Sequence, residues 1–131
     1  MAHFVINGGR QIGGVYTPPG NKNAALPMLA AAVLTDEPVR LENLPLIEDV
    51  FTMLLILQDL GASVDLDGHT VTVCARGLRK RQLHRQLCQR VRSSILFAGP
   101  LAARHGRAVL HPPGGDIIGR RRLDTHFDGL R

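Results

Sequence analysis

Apolar residues recur at helical spacing in two segments of the first half of the chain. The clearer segment is Glu48–Leu60, which is followed by Gly61 as a helix stop. Its apolar face comprises Val50, Leu54 and Leu57. Small and apolar residues also fill Lys22–Leu34, where Pro27 comes early enough that its missing N–H costs little. The pattern predicts a helix in each segment.

Alternation of apolar and polar residues predicts strands around these helices. Ala62–Leu66 and His69–Cys74 alternate on either side of Asp67-Gly68, which is typical of a β-hairpin. Shorter strands are predicted at Phe4–Ile6, Gly13–Thr17 and Val39–Glu42. The mixture of helices and strands indicates an α/β or α+β fold.

The pattern then restarts. The second unit is predicted to contain a helix at Leu87–Arg104, a strand at Arg107–His111 and a helix at Leu123–Leu130. An offset of 69 residues lays Ala24–Leu34 over Ser93–Ala103, as a repeat of pattern with few identities. The second unit reaches Arg131 without the hairpin that closes the first, which leaves an apolar helix face uncovered. We therefore expect the chain to be a piece of a larger protein or to pair with another chain.

Charge is distributed unevenly along the chain. Residues 1–60 carry a net charge of −3 and residues 61–131 one of +8, and arginine supplies fourteen of the sixteen basic side chains. A basic half favours nucleic acid or a phosphorylated small molecule as partner, because the guanidinium binds phosphate oxygens in pairs. A solvated basic face is the alternative.

The sequence shows no sign of a membrane span, a leader peptide or a metal site. It has no apolar run of about 20 residues, and Met1–Phe4 lacks the basic and apolar regions of a signal peptide. Cys74 and Cys88 lack the spacing of a zinc site or a disulfide framework. We therefore expect a cytoplasmic protein without a metal or other cofactor.

Three places combine residue types that bind or react with anions. Lys22-Asn23 begins a predicted helix, where backbone N–H groups, the helix dipole and an ammonium point the same way. Arg92 lies near the matching position of the second unit. The third place is the loop Pro112–His126, in which Asp116 lies between Gly-Gly and Ile-Ile and arginines follow. Taken alone, each is more often a solvated surface residue or a turn residue.

Together these motifs resemble one enzyme family. They are Gly-x-Lys-Asn-Ala-Ala-Leu-Pro at Gly20–Pro27, Arg-x-Ser at Arg92–Ser94, and Pro-Gly-Gly-x-x-Ile-Gly-x-Arg-x-x-Asp-x-His at Pro113–His126. All three are similar to motifs of the UDP-N-acetylglucosamine enolpyruvyl transferases. The resemblance runs along the whole chain, and the lysine block separates it from the sister enzyme of the shikimate pathway.

The resemblance implies an inside-out α/β barrel of βαβαββ units, of which this chain supplies one full unit and an incomplete second. Residues 1–20 would be strands of the other domain, and residues 21–131 the first, truncated part of the N-terminal domain. The implied reaction transfers the enolpyruvyl group of phosphoenolpyruvate to the 3-hydroxyl of UDP-N-acetylglucosamine and releases phosphate, the first committed step of peptidoglycan synthesis. The missing C-terminal part would complete the site, so we expect the isolated fragment to be inactive.

The resemblance also implies roles for individual residues. Lys22 and Asn23 would bind phosphoenolpyruvate, and Lys22 would also act in catalysis by neutralising its charge. Arg92 would reach the nucleotide sugar, and Asp116 would be the general acid that protonates the methylene carbon. The rest of the UDP-N-acetylglucosamine site would be lined by Arg121, Arg122, Leu123, Asp124 and Thr125.

Asp116 departs from the commonest pattern of the family, which has cysteine at this position. A carboxyl group has a reference pKa of about 3.9 and a thiol one of about 8.5, so Asp116 must be desolvated or lie near other carboxylates to donate a proton near neutrality. Fosfomycin alkylates the cysteine thiol, and a carboxylate is a far poorer nucleophile. The resemblance therefore implies intrinsic fosfomycin resistance.

Two other functions stay open at this point. One is a small basic module that binds nucleic acid through Arg76–Arg92, although no aromatic residue lies in that segment to stack on bases. The other is a non-catalytic paralogue that keeps the fold but does no chemistry. The presence of Lys22, Asn23, Arg92 and Arg121 argues against the second.

Overall fold

The computed structural model describes residues 3–115 and 122–130. Its helices are α1 (Lys22–Ala31), α2 (Glu48–Leu60), α3 (Arg85–Arg90), α4 (Ala98–His105) and α5 (Asp124–Gly129). Short 3₁₀ helices lie at Ala32–Leu34, Ala75–Gly77 and Arg92–Phe97. Its strands are β1 (Val39–Leu41), β2 (Ser63–Asp67) and β3 (Thr70–Cys74). Helices packed on a small sheet give the α+β arrangement that the hydrophobic pattern predicts.

The sheet has the strand order β1-β3-β2, and both strand pairs are antiparallel. Val71 and Val73 of the central strand are fully buried, because alternate side chains of β3 face the core. Asp67 pairs with Thr70, so the turn of the predicted hairpin is Gly68-His69, one residue later than expected. Gly68 has a φ of 54°, a left-handed conformation that suits glycine.

Helices α1 and α2 form where the sequence predicts them. Asn21 caps α1, since its side-chain oxygen accepts hydrogen bonds from the backbone N–H groups of Asn23 at 2.7 Å and Ala24 at 3.3 Å. Helix α2 ends at Gly61, which has a φ of 105°. The core between the two helices and the sheet contains the buried side chains of Leu29, Val33, Val50, Met53, Leu57 and Leu60.

The second unit differs from its prediction. The helix expected over Leu87–Arg104 is broken at Val91, which is extended with a φ of −140° and a ψ of 127°. The strand expected over Arg107–His111 is reduced to one parallel bridge between Gln82 and Val109. The final helix, α5, is one residue shorter at each end than the predicted Leu123–Leu130.

The helix break has a physical cause in the loop that follows α4. The backbone N–H of Gly114 donates to the carbonyl of Cys88 at 2.9 Å, and that of Gly115 to the carbonyl of Gln89 at 3.2 Å. In a continuous helix these carbonyls would accept from residues four positions later. The loop therefore takes the place of the next helical turn, which hydrophobic spacing does not reveal.

The strands predicted at Phe4–Ile6 and Gly13–Thr17 are wrong. Residues 3–19 are exposed and form neither strand nor helix, and Phe4 and Val15 are 95% and 99% exposed. A strand needs a neighbouring strand for its backbone groups, and within the described part of the chain none pairs with this segment. The assignment of residues 1–20 to another domain stays a prediction.

Two close contacts support the repeat. A Cβ on Gly20 would lie 1.7 Å from the carbonyl oxygen of Asn43 and 2.9 Å from Pro45, and a Cβ on Gly114 would lie 1.7 Å from the carbonyl oxygen of Gln89. The 69-residue offset relates Gly20 to Gln89 and Pro45 to Gly114. In both units the segment before the helix thus lies against the loop that follows the helix. The glycine that permits this contact is in the segment before the helix in the first unit and in the loop in the second.

Arg104 joins the two units. Its guanidinium donates to the carbonyls of Val33 at 2.9 Å and Ala75 at 3.0 Å, and it also pairs with Asp36. The side chain is only 18% exposed. Helix α4 of the second unit is therefore fixed to the 3₁₀ helices of the first.

Candidate functional site

Lys22 and Asn23 begin α1, and a close backbone contact fixes where that helix begins. Because Gly20 lies against Asn43, the α1 N-terminus is held beside the loop that leads into α2. Asn43 itself has a φ of 54°, a left-handed conformation that asparagine tolerates better than most residues. The sequence Gly-x-Lys-Asn thus places an ammonium at a helix N-terminus whose position is set by backbone packing.

Asp49 lies opposite Lys22 and forms an ion pair with it. The carboxylate is in the first turn of α2, where a negative charge complements the helix dipole. The side chain of Lys22 is 48% exposed and that of Asp49 is 32% exposed, so the pair is open to solvent. Sequence pattern alone does not single out Asp49, because an acidic residue in a first helical turn is common.

A cleft of about 390 Å³ lies between α1, the start of α2 and the 3₁₀ helix that follows Val91. It is lined by Lys22, Asn23, Leu26, Asp49, Arg92, Ser93, Ile95 and Leu96. The structure therefore brings Lys22, Asn23 and Arg92 together, as the motifs imply. We call it the lysine cleft. Two cationic side chains and a helix N-terminus in one cleft favour an anionic ligand.

The loop that leads to Asp116 begins at the edge of the lysine cleft. Gly114 and Gly115 are tied to the end of α3 by their backbone hydrogen bonds, and a Cβ on Gly115 would lie 3.1 Å from the backbone nitrogen of Arg92. Gly115 has a φ of 88°, which suits only glycine well. Asp116 and Arg121 lie outside the described residues.

The other predicted nucleotide residues lie beside the lysine cleft and not in it. Arg122 donates to Asp124 at 2.5 Å, and both side chains are exposed. Leu123 lines a larger, mainly apolar cleft of about 570 Å³, and Thr125 lines one of about 360 Å³. Ile95 lines all three clefts, so they share one wall. The structure thus groups these residues around a common element without joining them into one site.

Cys88 lies in the core behind the loop. It is fully buried, and this burial raises the pKa of its thiol. A protonated, enclosed thiol is a packing group and not a nucleophile. No three side chains of the metal-ligating types come together within residues 3–115 and 122–130. None of the described helices is long and apolar enough to cross a membrane.

Three comparisons identify relatives of this chain. The profile of the EPSP synthase (3-phosphoshikimate 1-carboxyvinyltransferase) family matches residues 6–131. The UDP-N-acetylglucosamine 1-carboxyvinyltransferases of Treponema pallidum and Treponema denticola are 53% and 48% identical over 131 residues, 99% of this chain. The crystal structure of the enolpyruvyl transferase NikO from Streptomyces tendae superposes with a TM-score of 0.67 at 31% identity, over 76% of this chain and 23% of that one.

The shares of length matter as much as the identities. The chain spans about 31% of the length of the two Treponema relatives. The resemblance predicted from the motifs is confirmed by these relatives, and the enolpyruvyl transferase fold by the NikO structure. The chain therefore belongs to the EPSP synthase (3-phosphoshikimate 1-carboxyvinyltransferase) family, and the relatives it matches are UDP-N-acetylglucosamine 1-carboxyvinyltransferases.

Proposed function

We propose that this chain forms part of an enzyme that transfers the enolpyruvyl group of phosphoenolpyruvate to the 3-hydroxyl of UDP-N-acetylglucosamine. The observation that carries the proposal is the lysine cleft, which gathers Lys22, Asn23 and Arg92 beside the base of the Gly114-Gly115 loop. The reaction would be the first committed step of peptidoglycan synthesis and would take place in the cytoplasm. The free thiols of Cys74 and Cys88 support this location, because cytoplasmic cysteines are kept reduced.

The chemistry assigns one task to each group. Lys22 neutralises the charge of phosphoenolpyruvate, and Arg92 reaches toward the nucleotide sugar. Asp116, as a carboxylic acid, gives its proton to the methylene carbon of phosphoenolpyruvate while the sugar oxygen bonds to the neighbouring carbon and loses its own proton to a base. The tetrahedral intermediate then expels phosphate and loses a methyl proton, which restores the carbon–carbon double bond. No cofactor takes part.

The UDP end of the substrate is assigned to the segment after the loop. In this proposal Arg121 and Arg122 bind the diphosphate, and Leu123, Asp124 and Thr125 contact the rest of the nucleotide. The exposed Arg122–Asp124 pair and the apolar cleft at Leu123 support the assignment, since a nucleotide needs both polar and apolar contacts. The site would be completed by the part of the protein that corresponds to the rest of the relatives' length.

A hybrid polypeptide tests the proposal. This chain would replace the matched segment of the Treponema pallidum relative, so that the remainder of that protein supplies the other side of the site. We expect phosphate release that requires both phosphoenolpyruvate and UDP-N-acetylglucosamine, and none from the isolated chain. A folded hybrid that binds neither substrate would contradict the proposal.

The loop residue gives a second test in the same hybrid. With Asp116 in place, we expect turnover to persist in millimolar fosfomycin, because a carboxylate reacts poorly with the epoxide. Asp116→Cys should restore time-dependent inactivation and a covalent mass increase on residue 116. Rapid inactivation of the unaltered hybrid at low micromolar fosfomycin would rule out the role given to Asp116.

A further inference from the structure

Ser93 carries a buried polar atom that the fold itself does not satisfy. Its hydroxyl oxygen is inaccessible to solvent and has no hydrogen-bond partner in the part of the chain that the structure describes. Leaving a buried hydroxyl unpaired costs about 1–3 kcal/mol. Such a group in a native protein calls for an explanation, and a ligand that supplies the missing partner is one.

The position of Ser93 points to that explanation. Ser93 lines the lysine cleft together with Lys22 and Arg92. Two other buried polar atoms lack partners among the described residues, on Thr52 and His105, and neither residue lines the cleft. Of these three residues with a buried, unpaired polar atom, Ser93 is therefore the one that lines the lysine cleft.

The neighbouring serine shows the ordinary structural alternative. Ser94 is also buried, but its hydroxyl donates to the carbonyl of Cys88 at 3.5 Å and it does not line the cleft. The two serines thus differ in whether the fold supplies a partner for the hydroxyl, and Ser93 as a whole is only partly buried. The Ser93 hydroxyl is thus unpaired just behind the cleft wall, and that of Ser94 is not.

We propose that the Ser93 side chain turns toward the lysine cleft when a ligand binds, and that its hydroxyl is then a third anion ligand, donating a hydrogen bond to a phosphoryl or carboxylate oxygen held by Lys22. The inference rests on the proposed function, since it names a further binding residue in the same cleft. A hydroxyl hydrogen bond to an anionic oxygen is charge-assisted, and it would supply the partner that the hydroxyl lacks. Lys22 would neutralise the charge of the anion, and the directional hydrogen bond from Ser93 would orient it.

The proposal makes a paired prediction that a structural serine would not satisfy. Ser93→Ala should weaken binding of phosphoenolpyruvate about tenfold, because one charge-assisted hydrogen bond is lost. The same change should leave the melting temperature of the ligand-free protein unchanged or raise it by up to about 4 °C, because it removes an unsatisfied hydroxyl. Ser94→Ala, the matched control, should lower the melting temperature and leave affinity within about twofold.

The experiment uses the 131-residue chain and the hybrid together. Inorganic phosphate and phosphoenolpyruvate are titrated into the chain by NMR, alongside thermal unfolding of each variant. The KM for phosphoenolpyruvate and kcat are measured in the hybrid, which decides the question if the isolated chain does not fold. Lys22→Ala is carried in parallel as the test of the cleft itself.

The outcomes distinguish a failure of the Ser93 inference from a failure of the proposed function. Weaker binding or a raised KM in Ser93→Ala, with no loss of stability, supports the inference. The Ser93 inference is overturned if Ser93→Ala leaves anion binding within twofold, or destabilises the chain as much as Ser94→Ala, while Lys22→Ala weakens binding. In that case the lysine cleft is still supported as the anion site. If Lys22→Ala also has no effect, the proposed function is wrong, and the Ser93 inference falls with it.

Discussion

Single glycines fix both sides of the lysine cleft at the residue scale. Gly20 and Gly114 each approach a carbonyl oxygen to a distance at which no Cβ fits. The contact at Gly20 fixes the start of α1 and so the position of Lys22. The contact at Gly114 fixes the loop that leads to Asp116. The site is therefore positioned by backbone contacts between residues that take no part in binding.

Gly114→Ala tests this view. The new Cβ would meet the backbone of Gln89, so the loop must leave the end of α3, and we expect hybrid turnover to fall at least tenfold. Gly99→Ala is the control, because nothing lies within 4 Å of a Cβ at that helical position, and it should raise stability by about 0.5–1 kcal/mol. Turnover assays and urea unfolding would check both changes. Equal effects of the two substitutions would contradict the role of Gly114.

Asp49 determines how Lys22 is presented. We expect Asp49→Asn in the hybrid to lower kcat about tenfold without raising the KM for phosphoenolpyruvate, because the ammonium still binds the anion but is no longer oriented. The matched change is Asp59→Asn, which frees Lys80, the other lysine, from its 2.6 Å ion pair. It should leave both constants unchanged. A loss of kcat from both changes would point to general damage and not to orientation.

The two cysteines should differ in reactivity. Cys74 is partly exposed and Cys88 fully buried, so an aromatic disulfide reagent should label Cys74 much faster in the folded chain.

Burial raises the pKa of Cys88, so at alkaline pH the folded chain keeps a thiol proton that the unfolded chain releases. Its contribution to stability is present below the ordinary thiol pKa of about 8.5 and is lost as the pH rises above it.

That loss can be measured as a slope. The free energy of unfolding should fall as the pH rises above about 8.5, and Cys88→Ala should flatten that fall whatever its effect at neutral pH. Cys74→Ala should leave the slope as it is. Fast labelling of Cys88 in the native state would show that the core around it is open.

At the scale of elements, the broken helix is the main difference between sequence and structure. Apolar spacing runs without interruption through Leu87–Arg104, so hydrophobic pattern alone predicts one helix. The break at Val91 arises because a loop more than twenty residues later occupies the carbonyls of Cys88 and Gln89. Contacts between distant segments override local preference here, and this same contact brings the loop to Arg92.

Arg104 gives a stability prediction at the same scale. Arg104→Ala removes two hydrogen bonds from a charged donor to backbone carbonyls, so we expect the free energy of unfolding to fall by about 2–3 kcal/mol. The carbonyl of Ala75 still accepts from the N–H of Leu78 at 3.0 Å. Arg76→Ala removes only an exposed ion pair with Glu37 and should change it by less than about 1 kcal/mol. Chemical unfolding of the two variants would check this. A loss no larger than that of Arg76→Ala would show that Arg104 does not join the units.

At the scale of the whole molecule, the sequence predicts those features of the fold that depend on local residue patterns. The bounds of α2 and the antiparallel pairing of β2 with β3 follow from spacing and turn chemistry. Lys22, Asn23 and Arg92 were expected in one site, and they line one cleft. Asp49 and Ser93 were missed because their significance lies in what they face, which depends on how α1, α2 and the segment after Val91 pack together.

The charge pattern also changes meaning in the folded molecule. The basic segment Arg76–Arg92 suggests a nucleic-acid surface in the sequence. In the structure Arg76, Lys80 and Arg90 pair with Glu37, Asp59 and Glu48 of the acidic first half. The two halves therefore offset one another across their interface, and less cationic surface is left for a polyanion.

A comparison of the two lysines of the chain, made in the hybrid, tests whether the lysine cleft binds phosphoenolpyruvate. Both form ion pairs with an aspartate, Lys22 in the lysine cleft and Lys80 away from it. We predict that Lys22→Ala lowers the rate of phosphate release at least a hundredfold, because the charge of phosphoenolpyruvate loses its partner, and that Lys80→Ala changes it by less than about twofold. Equal rates for the two variants, whether both reduced or both intact, would contradict the role proposed for Lys22 and the lysine cleft.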